Sequence, residues 1–218
     1  MSGDPSPQSV ACLELPEAAR AALAEDGPLA RAMPGFRPRD GQQALAASVA
    51  EAIVARGTLV AEAGTGTGKT YAYLVPLLLA GGKAMVSTGT RHLQDQLHAR
   101  DLPAVRAVLG AGLRTALLKG RSNYVCHHHL ERHLADGRFP DPGTPAKLRR
   151  ILRFAGTHPT GDRAACTELA EDDPAWAYAT STRDNCLGQD CADLSRCFVF
   201  KARREAQAAD LVVVNHHL

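Results

Sequence analysis

The run AGTGTGKT, residues 63–70, constrains the fold of this chain more than any other feature. It follows the apolar run TLVA and precedes AYLVPLLL, so it predicts a glycine-rich loop between a strand (58–63) and a helix (69–80). Glycines allow backbone conformations that other residues avoid, so successive N–H groups can converge on one anion. The N-terminus of the following helix adds a partial positive charge. A phosphate-binding loop is therefore favoured over an ordinary glycine-rich turn.

The spacing matches the P-loop pattern, although Ala63 stands at the first position, where glycine is more usual. The predicted nucleotide-binding residues are Ala63, Gly64, Thr65, Gly66, Thr67, Gly68, Lys69 and Thr70. Lys69 is expected to reach the outer phosphates as a point charge. The Thr70 hydroxyl is expected to coordinate Mg²⁺, which prefers oxygen ligands.

Strand and helix patterns alternate around this loop. Helical patterns at 16–25 and 41–56 precede it, and a strand (83–88), a helix (91–100) and a strand (114–120) follow it. The alternation predicts crossover connections and a parallel sheet. Residues 121–207 contain helical pieces, Pro/Gly turns and most of the cysteines, and the strand pattern resumes at 210–218. We therefore predict an α/β nucleotide-binding domain interrupted by a mainly helical, cysteine-bearing insertion.

The charges are unevenly distributed along the chain, although the net charge is only +2. Residues 91–155 hold twelve Lys and Arg against five Asp and Glu, whereas residues 160–195 hold two against eight. This pattern indicates either a surface that faces a polyanion or a set of solvated helix faces. Charge alone does not separate the two interpretations.

The N-terminus lacks the pattern of a secretion signal, and no apolar run is long enough to span a bilayer. The expected location is therefore the cytosol, where thiols stay reduced. Six cysteines in that setting favour metal binding or redox chemistry over structural disulfides.

Three cysteines, Cys186, Cys191 and Cys197, are spaced C-x4-C-x5-C, and Cys126 lies far upstream. Structural zinc sites usually use cysteine pairs two to four residues apart, whereas iron–sulfur clusters tolerate wider spacings. The absence of a C-x2-C pair favours iron–sulfur, with buried free thiols as the alternative. Cys166 and Cys12 are interpreted as non-ligands. His127, His128 and His129 are either additional metal ligands or the polar face of a helix.

Several motifs together resemble one known family. They are FRPRDGQQ, EAGTGTGKTYAYLVP, VSTGTRHLQDQL, LLKGRSNYVC, NCLGQDC, CFVFKAR and ADLVVVNHHL. In this order they resemble the iron–sulfur superfamily 2 DNA helicases of the XPD/DinG type, most closely the bacterial branch called YoaA. The resemblance runs from about residue 33 to residue 218.

The resemblance implies a RecA-like motor domain with helices on both faces of its parallel sheet. The implied segments are a tail and helix (1–32), the first part of the motor (33–120), an iron–sulfur insertion (121–207) and a return strand (208–218). The implied cofactors are ATP, Mg²⁺ and a [4Fe–4S] cluster held by Cys126, Cys186, Cys191 and Cys197.

The resemblance also implies roles outside the loop. Gln42 would hydrogen-bond to the edge of adenine, because a glutamine amide both donates and accepts hydrogen bonds. The alternative is that Gln42 is an ordinary surface residue of an amphipathic helix. Thr88, Thr90, Arg91 and Gln94 would lie near the DNA backbone. Lys119, Arg121 and Tyr124 would line a single-strand path beside the cluster.

The implied activity is 5′ to 3′ translocation and unwinding in DNA repair. The implied partners are single-stranded and forked DNA together with replication or repair proteins, in the cytoplasm at the nucleoid and not at a membrane. The family's acidic Asp-Glu-Ala-His motif would follow residue 218, as would a second motor domain. We therefore expect the N-terminal portion of a longer helicase, or a truncated reading frame, with weak ATP binding at best and negligible unwinding of its own.

Two other functions fit the residues. The first is a nucleic-acid-binding P-loop module with a zinc-bound insertion and no motor. The second is a redox sensor whose cysteines report oxidation.

Overall fold

A computed structural model describes residues 14–215. The helices within them are α1 (Leu15–Ala22), α2 (Pro28–Ala32), α3 (Asp40–Ala55), α4 (Lys69–Ala80), α5 (Arg91–Gln96), α6 (Leu102–Leu109), α7 (His127–Asp136), α8 (Thr144–Thr157), α9 (Trp176–Ala179) and α10 (Phe198–Ala208). The strands are β1 (Ala84–Thr88), β2 (Thr115–Leu118) and β3 (Leu211–Asn215). The predicted tail (1–10), Cys12 and the last three residues of the predicted final strand lie outside the described residues. No helix in the described range combines the length and the apolar character needed to cross a membrane.

The three strands form one sheet with the order β1-β3-β2. Their first residues are adjacent: the Ala84 N–H donates to the Asp210 carbonyl, and the N–H groups of Asp210 and Leu211 donate to the Arg114 carbonyl. Strands that start side by side run in the same direction, so the sheet is parallel. All five residues of the central strand β3 are buried, as is typical of a strand covered on both faces. The predicted α/β class and parallel sheet are confirmed.

The strand predicted at residues 58–63 is wrong. This segment has no regular secondary structure, and Val60 and Leu59 are 93% and 40% exposed. A strand is stabilised by hydrogen bonds to a neighbouring strand, and no strand within residues 14–215 pairs with this segment. An apolar run favours pairing as a β-strand, but it forms a strand only where a neighbouring strand is available for hydrogen bonding.

The described chain divides into two compact units, one of residues 14–115 and 209–213, the other of residues 116–208 and 214–215. In the first unit, α1, α3 and α4 pack against one another. The α3 side chains Ala46, Ala47 and Ala50 are fully buried there. Such small side chains let neighbouring helices approach closely, which fixes α3 beside the helix that follows the glycine-rich loop.

The second unit has its own apolar core. Its buried members include Val125, Leu130, Leu148, Ile151, Cys166, Trp176, Ala179, Phe198 and Val199. Trp176 is 2% exposed, and its indole N–H donates to the Ala170 carbonyl at 2.8 Å. Since the chain has a single tryptophan, its fluorescence reports the folding of this unit alone.

Candidate functional site

The glycine-rich loop lies directly before α4, which spans the predicted residues 69–80. Gly66 and Gly68 have φ angles of 76° and 83°, a region that strains residues with a Cβ. No side chain caps α4, whose N-cap is Gly68. The first N–H groups of the helix are therefore available to a ligand, and the helix dipole favours an anion there.

The side chain of Lys69 folds back over the loop. Its Nζ donates to the Ala63 and Gly64 carbonyls at 2.6 and 2.7 Å, and the Thr67 hydroxyl also donates to the Gly64 carbonyl, at 2.9 Å. The ammonium therefore lies at the loop, bonded to carbonyls that a phosphate can replace. The hydroxyl of Thr70 is hydrogen-bonded to Tyr73, one turn further along α4.

Gln42 of α3 contacts the last glycine of the loop. Its Nε2 donates to the Gly68 carbonyl at 2.9 Å, and a Cβ added to Gly68 would lie 2.0 Å from that nitrogen. Gln42 is 3% exposed, yet its Oε1 is buried without a hydrogen-bond partner among the described residues. A buried acceptor without a partner is costly. This oxygen is therefore the atom at the loop that fits a donor of a bound ligand, such as the amino group of adenine.

The four residues predicted to lie near DNA in the first unit have different surroundings. Thr88 is buried and donates to the Thr90 carbonyl at 3.2 Å, and the Thr90 hydroxyl caps α5 by accepting from the Leu93 N–H. Gln94 is fully buried, and its Nε2 donates to the Val213 carbonyl at 3.3 Å. Arg91 is exposed at the start of α5. In this structure, Thr90 and Arg91 are the members of the set that solvent reaches.

In the second unit, the four cysteines predicted as ligands line one cavity of about 480 Å³, counting the space open to solvent. Cys126 immediately precedes α7, whereas Cys191 and Cys197 each follow a short 3-10 turn, Gly188–Asp190 and Leu194–Arg196. After these turns, Cys191 and Cys197 line the same cavity as Cys126 and Cys186. Four thiols in one cavity are a donor set that suits iron–sulfur clusters and structural zinc, and the Asp193 carboxylate also lines this cavity.

Cys126 is partly buried at the N-terminus of α7, and the backbone N–H of His129 donates to its sulfur. Burial raises the pKa of the Cys126 thiol, the neighbouring Cys197, Cys191 and Cys186 raise it further, and the His129 hydrogen bond opposes the rise. Burial therefore favours the neutral thiol of Cys126, and a cation in the cavity would favour its thiolate.

Cys166, predicted as a non-ligand, is 5% exposed in the apolar core. It is absent from the lining of the cysteine cavity. Its environment is that of a small apolar side chain.

The three histidines after Cys126 have different environments. The His127 ring packs on Phe198, with centroids 5.1 Å apart, and His129 Nε2 lies 3.2 Å from the Asn185 carbonyl. His128 Nδ1 lies 3.7 Å from an Asp193 carboxylate oxygen, and both are close to the Cys191 sulfur. Only His128 therefore lies in a potential metal-ligand group within residues 14–215. Asp193 was missed from the sequence, where its only signal is its position two residues after a cysteine.

Gly161 positions the segment that carries Cys197. Its φ is +59°, and an added Cβ would lie 2.2 Å from the ring of Phe198, the residue after that cysteine. The Gly161 carbonyl also accepts from the Val125 N–H at 2.9 Å, next to Cys126. One glycine thus lets two cysteine-bearing segments approach each other, which the sequence shows only as a turn signal.

Lys119 and Tyr124, predicted to line a DNA path, are 4% and 3% exposed. Lys119 Nζ lies 2.6 Å from Asp162 Oδ2, and the Tyr124 hydroxyl accepts from the Lys119 N–H at 3.0 Å. Their placement on an accessible path is therefore corrected, since both side chains belong to the interior of the second unit. Arg121 is partly exposed, although its Nε is buried without a partner in the described chain.

Comparison with known proteins identifies relatives of this chain. It is 50% identical over 197 residues to the ATP-dependent DNA helicase YoaA of Escherichia coli, covering 90% of this chain and 31% of that protein. It is 48% identical over 193 residues to YoaA of Haemophilus influenzae, covering 88% and 30%. It is 38% identical over 206 residues to the ATP-dependent helicase DinG of Mycobacterium tuberculosis, covering 84% and 31%. No protein-family model matches the chain.

The matched region is the N-terminal part of these relatives, and the chain spans about 30% of their length. Between 84% and 90% of the chain is aligned with these relatives. This chain belongs to the family of YoaA and DinG-type helicases.

Proposed function

We propose that this chain is the ATP-binding and cluster-binding N-terminal portion of an ATP-dependent DNA helicase that moves 5′ to 3′ on a single strand in DNA repair. The observation that carries the proposal is that one chain holds both an uncapped helix behind a glycine-rich loop and a cavity lined by four cysteines. The relatives bear the names of ATP-dependent helicases. The proposed segments are 1–32, 33–120, 121–207 and 208–218, with a RecA-like motor interrupted by the insertion.

At the nucleotide site, the N–H groups at the start of α4 would bind phosphate oxygens. Lys69 would exchange its two carbonyl partners for phosphate oxygens, and the Thr70 hydroxyl would turn from Tyr73 towards Mg²⁺. The unpaired Oε1 of Gln42 would accept from adenine. Because the relatives are about three times as long, we assign hydrolysis and unwinding to the longer protein and nucleotide binding to this portion.

At the cysteine cavity, Cys126, Cys186, Cys191 and Cys197 would each supply one thiolate to a [4Fe–4S] cluster. The His129 N–H already donates to the Cys126 sulfur, and such hydrogen bonds stabilise cluster thiolates. In this portion, we assign the cluster the role of holding the insertion together.

For DNA, we propose that Arg91 contacts the backbone directly. Thr88, Thr90 and Gln94 would act by fixing the start of α5, and Arg121 would use the part of its guanidinium that remains exposed.

Substitution of Lys69 by alanine is expected to weaken ATP binding by about tenfold or more, because one charge-assisted bond to phosphate is lost. Titration of the purified chain with a fluorescent ATP analogue and Mg²⁺ measures the effect. Lys147→Ala is the matched control, since this lysine lies in the second unit and pairs with Asp173 at 2.9 Å. Equal affinities of the Lys69 and Lys147 variants would contradict the nucleotide site.

The cluster is tested by anaerobic purification of the same chain. An iron–sulfur protein is brown, and a [4Fe–4S] occupant gives about four iron and four sulfide per chain. A colourless protein with about one zinc per chain would replace the proposal with the zinc-bound module. Absence of both metals would favour the redox sensor.

A further inference from the structure

Helix α8 in the second unit has one buried side and one exposed, basic side. Thr144, Leu148, Ile151 and Ala155 are buried, whereas Arg149, Arg150 and Arg153 are exposed. The three arginines follow at i, i+1 and i+4, so they share the outer face of two successive turns. We call these three residues the α8 basic face.

Within the described residues, most of the positive charge of the α8 basic face is not paired with acidic side chains. Arg149 and Arg150 make no hydrogen bond or ion pair with another residue of 14–215. Arg153 Nη2 lies 3.4 Å from a Glu168 oxygen, but the two side chains are 66% and 51% exposed. A pair so exposed contributes little to stability, and a stronger anion can displace Glu168.

The surroundings of the face allow close approach by a ligand. The exposed residues beside the arginines include the small Ala146, Gly156 and Thr157, and one larger apolar residue, Leu152, which is 36% exposed. The distance along the helix from Arg149 to Arg153 is about 6 Å, given a rise of about 1.5 Å per residue. A DNA strand carries one phosphate per about 3.4 Å of axis in a duplex, so the face spans about two phosphates.

We propose that the α8 basic face binds the phosphate backbone of DNA. The proposal rests on the proposed function, because it assumes that the protein acts on DNA. Guanidinium groups bind phosphate through two parallel hydrogen bonds. The aromatic ring of α8, Phe154, stacks on His158 with centroids 4.7 Å apart and is partly buried, so it is not free to stack on bases. The contact is therefore independent of base sequence.

The test is the triple variant Arg149→Gln, Arg150→Gln, Arg153→Gln in the complete 218-residue chain. We expect its affinity for a 20-nucleotide poly-dT strand to fall about tenfold at low salt. The slope of log K against log salt is expected to decrease by about 1.4, since the face spans about two phosphates and each lost contact to a single strand removes about 0.7. A blunt 20-base-pair duplex, measured in parallel, shows whether the phosphates are those of single-stranded or double-stranded DNA.

Two controls separate the face from total charge. A triple Arg→Lys variant keeps the charge and should keep the salt slope. A variant with the same charge loss in the first unit, at Arg20, Arg31 and Arg56, should leave binding within about twofold of the native chain. Glu168→Gln removes the acid that pairs with Arg153 and should strengthen binding about twofold.

The outcomes are distinguishable. If the native chain binds neither DNA, the proposed function fails together with this inference. If it binds DNA and the α8 variant binds equally well with the same salt slope, only the inference fails. If the α8 variant loses instead the binding of an acidic peptide while DNA binding is unchanged, the face serves a protein partner and the inference is likewise overturned. Unchanged fluorescence of Trp176 confirms that the α8 variants are folded, and an unchanged circular dichroism spectrum confirms it for the variant of the first unit.

Discussion

Cys186→Ser is expected to reduce the iron content of the purified chain from about four atoms to almost none, whereas Cys166→Ala leaves it unchanged. The two cysteines are twenty residues apart in sequence, but only Cys186 lines the cavity with Cys126, Cys191 and Cys197. A serine hydroxyl is a poor substitute for a thiolate, and a cluster that loses one of its four ligands is exposed to solvent on that side. The measurements are iron and sulfide analysis and the visible absorption of anaerobically purified protein.

The Cys166→Ala variant is the matched control because it also removes a sulfur atom from the second unit. Cys166 packs in the apolar core, so its loss should cost stability without affecting iron. Cys191→Ser provides a second test, since Cys191 is another of the four cysteines that line the cavity. Should iron persist in both serine variants, or disappear in the Cys166 variant, the assigned ligand set is wrong. Trp176 fluorescence distinguishes a folded protein without iron from an unfolded one.

Individual helices and strands could be predicted from the sequence where the residues of one short segment are sufficient to determine the local structure. The helix over 69–80 was placed correctly because the Gly68–Lys69 boundary is a strong local signal. The strands predicted to start at 83 and 114 begin at Ala84 and Thr115, since apolar β-branched runs bounded by glycine are typical of strands. The segment 58–63 carries the same signal, but its structure depends on a neighbour that the described chain does not supply.

The sequence predicts the parts of the site whose ligand chemistry follows from the spacing of residues along the chain. It predicts less well the parts that depend on contacts between residues far apart in sequence. The convergence of the four cysteines on one cavity follows from two short turns around Cys191 and Cys197, and the spacing pointed to it. The burial of Lys119 could not be foreseen, because its partner Asp162 lies 43 residues away. A lysine next to glycine and arginine has the sequence pattern of an exposed basic loop, and only the tertiary contact makes it interior.

The buried ion pair between Lys119 and Asp162 is expected to make a large contribution to the stability of the second unit. Asp162→Asn is expected to lower the free energy of unfolding of the second unit by about 3 kcal/mol, the lower end of the range for removing one member of a buried pair. The ammonium of Lys119, whose side chain is 4% exposed, would lose the carboxylate 2.6 Å away. Asparagine keeps an acceptor for the Ala164 N–H, which bonds to Asp162 Oδ1 at 3.1 Å, but its NH2 group then faces the ammonium, so the change removes both the charge and the hydrogen bond of the pair. Urea unfolding followed by Trp176 fluorescence measures the difference.

The matched control is Glu168→Gln, which also converts a carboxylate to an amide in the second unit. Because Arg153 and Glu168 are both more than half exposed, we expect a change below about 1 kcal/mol. The double variant Lys119→Met, Asp162→Asn should recover part of the lost stability, since it no longer leaves a buried cation without its counterion. If Asp162→Asn costs no more than Glu168→Gln, the pair is not buried in solution. Lys119 would then be accessible, and its role on a path for single-stranded DNA would be restored.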